Sequence, residues 1–259
     1  MDNYYSLLGI KTDASSADVK KAFREKAKKF HPDVVGKRGD AEMRRLISAY
    51  KILSDRQRRF EYDKTFKLSE KGEFDYRTFL KRRKDDPASQ AKLVVLDLFH
   101  GREEDALALW RERGGLDFPM SRYLNREDWM DGSYILAEEL VKRDCYYEAF
   151  VILVDIMKEE RREPYFRHFS IDVEIFLKEL VRLRLRRVVD DGVWVFCMET
   201  LLALGGFPAK DEARWLCSMA EALCGLGRRE EARIVFCKAL EVYPRLSSVK
   251  RLQKKLGIK

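Results

Sequence analysis

The chain has 259 residues, 46% of them hydrophobic and 37% charged, which suits two modest domains with a charged surface and excludes a disordered chain. Its 14 glycines and 6 prolines are too few for a turn-rich β-sandwich. The balance of 52 basic and 44 acidic residues gives +8, which permits acidic partners and singles out none.

The five cysteines are odd in number, show no C-x-x-C spacing and are absent before Cys145. That pattern excludes a disulfide scaffold and a zinc ribbon, and it fits a reducing compartment. The polar start Met1-Asp2-Asn3 is no signal peptide. The most apolar stretch, 193–204, carries Glu199 and is shorter than the roughly 20 residues a bilayer needs. The expectation is a cytoplasmic protein with no metal and no other cofactor.

Charge divides the chain. Residues 1–70 hold 17 Lys/Arg and 11 Asp/Glu, a surplus of +6, which leaves +2 for the rest. Ser15 with Asp18 reads as a helix start. Val19, Ala22, Phe23, Ala27 and Phe30 then form one apolar stripe, with Lys20, Lys21, Arg24, Lys28 and Lys29 around the remaining circumference. Pro32 stops this helix. After a short loop a second helix follows, its stripe Met43, Leu46, Ile47, Tyr50 and Leu53 facing the first in an antiparallel hairpin. A polar connector, helical around Phe74 to Phe79, leads to the charge run ended by Pro87.

Beyond residue 90 the periodicity stays helical and partly repeats. In the clearest copy Leu216, Met219, Ala220 and Leu223 line one helix, Gly227 makes the turn, and Ala232, Phe236 and Ala239 line the next before Pro244. Weaker copies carry Leu98, Gly101, Ala106 and Trp110, and Leu136, Ala137, Leu140, Asp144, Ala149 and Leu153. Residues 173–187 and 188–204 read as one more pair. The predicted architecture is all-α: a stack of hairpins in which each unit covers its neighbour's apolar face.

His31-Pro32-Asp33 sits in the expected turn beyond the basic helix, and three residues alone fit a simple helix stop as well as a docking corner. Their surroundings decide. Asn3-Tyr4-Tyr5-Ser6-Leu7-Leu8-Gly9, Lys20-Lys21-Ala22-Phe23-Arg24, Phe30-His31-Pro32-Asp33, Ala49-Tyr50-Lys51-Ile52-Leu53-Ser54-Asp55, and Gln57-Arg58-Arg59 with Tyr62-Asp63 stand in the order and spacing of one family. Residues 3–63 resemble the J domain of the DnaJ family. The resemblance implies a four-helix domain that docks on a DnaK-type chaperone and stimulates its ATP hydrolysis. Lys20, Lys21 and Arg24 would lie on an acidic patch of that chaperone, and His31, Pro32 and Asp33 would engage the junction of its ATPase domain and linker. The nucleotide and hydrolytic groups belong to the partner, so the chain is not expected to be an enzyme.

Some residues depart from the family pattern. Lys26 and Lys28 replace apolar residues, Met43 replaces Phe, and Ile47 replaces a polar residue. A lysine at 26 is expected to lay its stem along the core and send its ammonium to water. No Gly/Phe-rich stretch follows Asp63, and five scattered cysteines cannot supply the eight ligands of the family's zinc repeats. The segment Ala213–Leu246 instead resembles a tetratricopeptide repeat, which implies a groove for a client or partner protein. The expected division is a J domain at 1–66, a connector at 67–90 and a helical-repeat domain at 91–259. Two other functions compete with the co-chaperone reading. One is a scaffold that uses the J domain only for docking. The other, ranked last, is a nucleic-acid binder using Arg182, Arg184, Arg186 and Arg187, a run that more often marks a solvated helix face. No membrane partner is expected. His100 and His168 stand alone, and the cysteines are expected to be buried and inert.

Overall fold

The computed structural model describes residues 3–29, 40–70, 75–164, 167–246 and 249–258. Fourteen α-helices account for most of these residues, with short 3₁₀ turns between some of them and no strand among the described residues. They fall into two compact units, Met1–Leu136 and Ala137–Lys259.

The first unit begins with α1 (Tyr4–Leu8), α2 (Ser16–Lys29), α3 (Asp40–Ser54) and α4 (Arg56–Glu70). Each start has a local cause. Asn3 Oδ1 accepts from the Ser6 amide at 3.0 Å, and Gly9 closes α1 with φ of 71°, a value that glycine tolerates without strain. Ser15 and Asp18 form the anticipated capping box: the Ser15 amide donates to Asp18 Oδ2 at 3.0 Å and the Asp18 amide to Ser15 Oγ at 3.2 Å. Asp55 receives the Gln57 and Arg58 amides at 2.9 and 2.8 Å and so starts α4 one residue after α3 ends.

Tyr4, Tyr5, Leu8, Val19, Leu46, Ala49, Leu53, Tyr62 and Phe66 form the core of this bundle. The seam of α3 is Leu46, Ala49 and Leu53. The expected stripe is corrected at Ile47, which lies 37% exposed because it sits one position off that seam, while the small Ala49 takes the buried place. The expectation for Lys26 is corrected as well. Its ammonium donates to the Leu7 carbonyl at 2.5 Å, satisfying a C-terminal group of α1 that the helix itself leaves open.

The stretch expected as a connector is largely helical. α4 runs on to Glu70, and α5 (Tyr76–Arg82) is capped by Asp75, whose carboxylate accepts from the Arg77 and Thr78 amides. α6 (Pro87–Phe99) starts with Asp86 as cap and Pro87 in its first turn, where proline loses no hydrogen bond. α7 (Glu103–Glu112) then folds back on α6. Asp97, 1% exposed, takes Arg77 Nε at 2.6 Å and Nη2 at 2.9 Å, which ties α5 to α6. The Gln90 amide adds bonds to the carbonyls of Leu80 and Arg83 at 3.0 and 2.9 Å. α8 (Arg126–Lys142) begins at Asn125, whose Oδ1 accepts from the Asp128 amide at 2.8 Å. Inside α8, Gly132 lies where a Cβ would stand 2.7 Å from Val95 Cγ2, so only glycine permits this approach to α6.

The second unit continues from the end of α8 through α9 (Tyr146–Arg162), α10 (Arg167–Leu183), α11 (Asp191–Leu204), α12 (Ala209–Gly225), α13 (Arg229–Val242) and α14 (Lys250–Leu256). α12 and α13 form the tightest hairpin, and Ala220, Ala232, Phe236 and Ala239 are each fully buried, as the periodicity requires. The repeat is also visible in the turns. Gly101, Asp144 and Gly227 have φ of 68°, 61° and 78°. After each, the next amide reaches back five residues: Arg102 to Asp97 at 2.8 Å, Cys145 to Leu140 at 2.9 Å, Arg228 to Leu223 at 2.9 Å. Five residues beyond each turn residue stand Ala106, Ala149 and Ala232, all at 0% exposure, and nine beyond stand Trp110, Leu153 and Phe236, all buried. The pair α10–α11 uses a different joint, a 3₁₀ turn at Leu185–Arg187, which explains its poor match to the repeat.

The cysteines divide. Cys197 is buried and its thiol is pushed up to about 11 by burial, as is that of Cys217. Cys237 is exposed, a correction to the expectation of uniform burial. None of the described helices is long and apolar enough to cross a membrane.

Candidate functional site

The basic face of α2 is built from behind. Val19 is fully buried beneath it. The Phe23 ring stacks on Tyr50 with centroids 4.5 Å apart, and Lys26 is fixed to Leu7. These contacts set the rotation of α2 on α1 and α3, and that rotation turns Lys20, Lys21 and Arg24 outward, all three exposed. With Ala17 and Glu25 they line a shallow surface cleft. The Ser15 hydroxyl and amide hold the Asp18 carboxyl below its ordinary range, so the helix start stays anionic at neutral pH and favours the N-terminal end of the helix dipole. His31, Pro32 and Asp33 lie outside the described residues.

The sequence blocks at the two ends of the bundle meet in space. The Tyr4 amide donates to Tyr62 Oη at 2.9 Å, and the two rings stack 4.8 Å apart. Tyr5 Oη donates to Asp63 Oδ1 at 2.6 Å and accepts from Arg59 Nε at 3.0 Å, while Arg59 Nη2 also reaches the Thr12 carbonyl at 2.9 Å. Burial raises the Tyr62 hydroxyl well above its ordinary value, and it raises Tyr5 too, with the Asp63 bond adding to the effect. Both phenols therefore stay neutral donors and acceptors. The role of Tyr4-Tyr5 and Tyr62-Asp63 is to close the bundle that holds α2 in place.

In the second unit an open groove of about 430 Å³ runs between α10, α11 and α12, lined by Ile175, Lys178, Arg182, Trp194, Arg214 and Trp215 among others. Trp194 Nε1 donates to Ser218 Oγ at 3.1 Å, and Lys178 binds Asp211 at 2.6 Å, so the walls are fixed to one another. Sequence reasoning missed the two tryptophans, because they are 21 residues apart and belong to helices whose pairing no local pattern reveals. Arg182, Arg184, Arg186 and Arg187 are exposed, and Arg186 pairs with Asp191 and lies 5.4 Å from the centre of the Trp194 ring. His100 Nδ1 lies 2.6 Å from the Leu96 carbonyl, and no group of metal-ligating side chains exists among the described residues.

The family model for the DnaJ domain matches residues 3–63. The chain is 44% identical over 63 residues to the chaperone protein DnaJ 1 of Cutibacterium acnes, which is 24% of this chain and 16% of that protein. It is 39% identical over 84 residues to the chaperone protein DnaJ of Hydrogenobacter thermophilus, covering 32% of this chain and 23% of the relative. It is 48% identical over 65 residues to the DnaJ of Picrophilus torridus, covering 24% and 18%. The chain thus spans less than a quarter of the length of these curated relatives, and no solved structure matches it. The paired tyrosine blocks, the four-helix bundle and the match over residues 3–63 place the N-terminal part of this chain in the J-domain family of DnaJ.

Proposed function

We propose that the chain is a co-chaperone: residues 1–66 dock on a DnaK-type chaperone and stimulate its ATP hydrolysis, and the helical hairpins at 91–259 recruit a client or partner protein. The observation that carries this reading is the outward basic face of Lys20, Lys21 and Arg24, set on a J domain whose rear contacts fix it. Three cations within two turns of one helix attract an acidic surface, speed encounter and lose force with salt. His31, Pro32 and Asp33 are the proposed second contact, at the chaperone's linker. The groove of Ile175, Trp194 and Trp215 supports partner recruitment, since it offers apolar floor and charged rim together. The nucleotide and the hydrolytic groups belong to the chaperone, so the chain itself is not an enzyme. A cytoplasmic setting suits five cysteines that form no disulfide.

Lys20→Glu/Lys21→Glu/Arg24→Glu is expected to lower the association rate with a DnaK-type chaperone roughly tenfold at low salt. The same change should have little effect near 1 M salt, where screening acts within about 3 Å. The wild-type rate should fall steeply over that range. A rate indifferent to both salt and charge reversal contradicts docking through α2. Binding that persists without any stimulation of hydrolysis selects the scaffold reading instead.

A further inference from the structure

Two charged residues of the J domain reach a helix far along the chain. At the corner where α3 meets α4, Lys51 pairs with Asp131 of α8, and Arg58 Nη1 binds Glu127 Oε2 at 2.8 Å. These partners lie 80 and 69 residues away along the chain. The four side chains are between 20% and 39% exposed, so each pair is partly withdrawn from water. Helix ends explain part of the pattern. Lys51 is in the last turn of α3, where a cation is favourable, whereas Arg58 in the first turn of α4 opposes the helix dipole and is offset locally only by the capping Asp55. Glu127 and Asp128 in the first turn of α8 sit favourably on that helix and supply the negative field that Arg58 needs.

From this corner the contacts run on without a gap. Gly132 brings α8 against Val95 of α6. Asp97 of α6 holds Arg77 of α5 with two bonds. α3 also touches α6 directly. Lys20, Lys21 and Arg24 take no part in these contacts and remain exposed.

We propose that residues 75–136 clamp the J domain in a single orientation through Lys51–Asp131 and Arg58–Glu127, so that a chaperone on the α2 face is presented in fixed geometry rather than on a swinging arm. Relative motion is the usual expectation for adjoining domains without a large apolar interface, so a fixed orientation here falls to the two partly buried ion pairs. The clamp itself concerns the chain alone, whereas its consequence for a chaperone on the α2 face rests on the co-chaperone reading.

Backbone ¹⁵N relaxation of the full chain reads the clamp without any chaperone present. Amides of residues 4–29 and 40–66 are expected to report the same tumbling time as those of 87–112. Lys51→Glu/Arg58→Glu should loosen the J domain, lowering the docked-to-free ratio by roughly fivefold or more, the upper scale of one partly exposed pair. Adding Glu127→Lys/Asp131→Lys to that variant should restore common tumbling. Glu127→Gln/Asp131→Asn, which leaves the J-domain sequence intact, should loosen it in the same direction and serves if the first variant disturbs the bundle. A wild-type J domain that tumbles faster than residues 87–112, or neutralised pairs that leave it docked, overturns the proposal.

Discussion

Phe236→Ala is expected to lower the stability of residues 137–259 by about 4 kcal/mol. The ring is fully buried in the α12–α13 hairpin, on the same face of its helix as the fully buried Ala232 and Ala239. Neighbours that are already alanines have no length to spare for filling the void, so the cost should sit at the high end of such changes. Hydrogen exchange of the α12 and α13 amides along a denaturant series measures it, because the four tryptophans are split between the two units and their fluorescence reports both. Phe196→Ala is the internal control: this ring is 55% exposed, and its loss should change stability by no more than about 0.5 kcal/mol. Equal effects at the two positions contradict the packing described for the hairpin.

Asp97→Ala is expected to cost about 3 kcal/mol in the first unit, the penalty of leaving a buried ion pair with one member. The carboxylate is 1% exposed, takes two bonds from Arg77, and lies 3.5 Å from Arg102 Nε. It also sits near the C-terminus of α6, where the helix dipole disfavours an anion, so nothing local stabilises it without these guanidiniums. Arg77 retains Asp105 in the variant, which limits the loss. Hydrogen exchange resolves where the effect falls: protection of α5 and the end of α6 should drop, while that of the Tyr5, Leu46 and Leu53 core should hold. Loss of protection spread evenly through residues 4–66 contradicts the placement of Asp97 as the joint of α5 with α6.

These two residues mark what the sequence made legible. Phe236 belongs to a periodic pattern, with its alanines at three- and four-residue spacing and Gly227 before it, and its burial follows from that pattern alone. The capping box at Ser15 and Asp18 was equally readable, since both groups lie within one turn. Asp97 was not. A carboxylate in a helix reads as solvent-facing, and its partner Arg77 stands 20 residues earlier, in a stretch expected to be a connector. Ile47 and Ala49 show a subtler limit: a pattern that weights large side chains puts the isoleucine inside, although the seam through Leu46 and Leu53 places the alanine there. The clamp residues Lys51, Arg58, Glu127 and Asp131 look like ordinary charged surface until α8 is folded against the J domain. Long-range charge pairing has no local period, so no window along the chain could show it.

For function the legible part was the J domain itself, because five short blocks carry both its core and its basic face. The groove of Trp194 and Trp215 was hidden for the same reason as Asp97, being assembled from three helices. The decisive property is what the J domain does to a partner. Single-turnover ATP hydrolysis by a DnaK-type chaperone, measured with the intact chain and with His31→Gln, tests it most directly. The intact chain is expected to stimulate hydrolysis and the variant to lose that stimulation, with both proteins equally folded. A folded intact chain that leaves the hydrolysis rate unchanged contradicts this expectation and makes the J domain a docking module only.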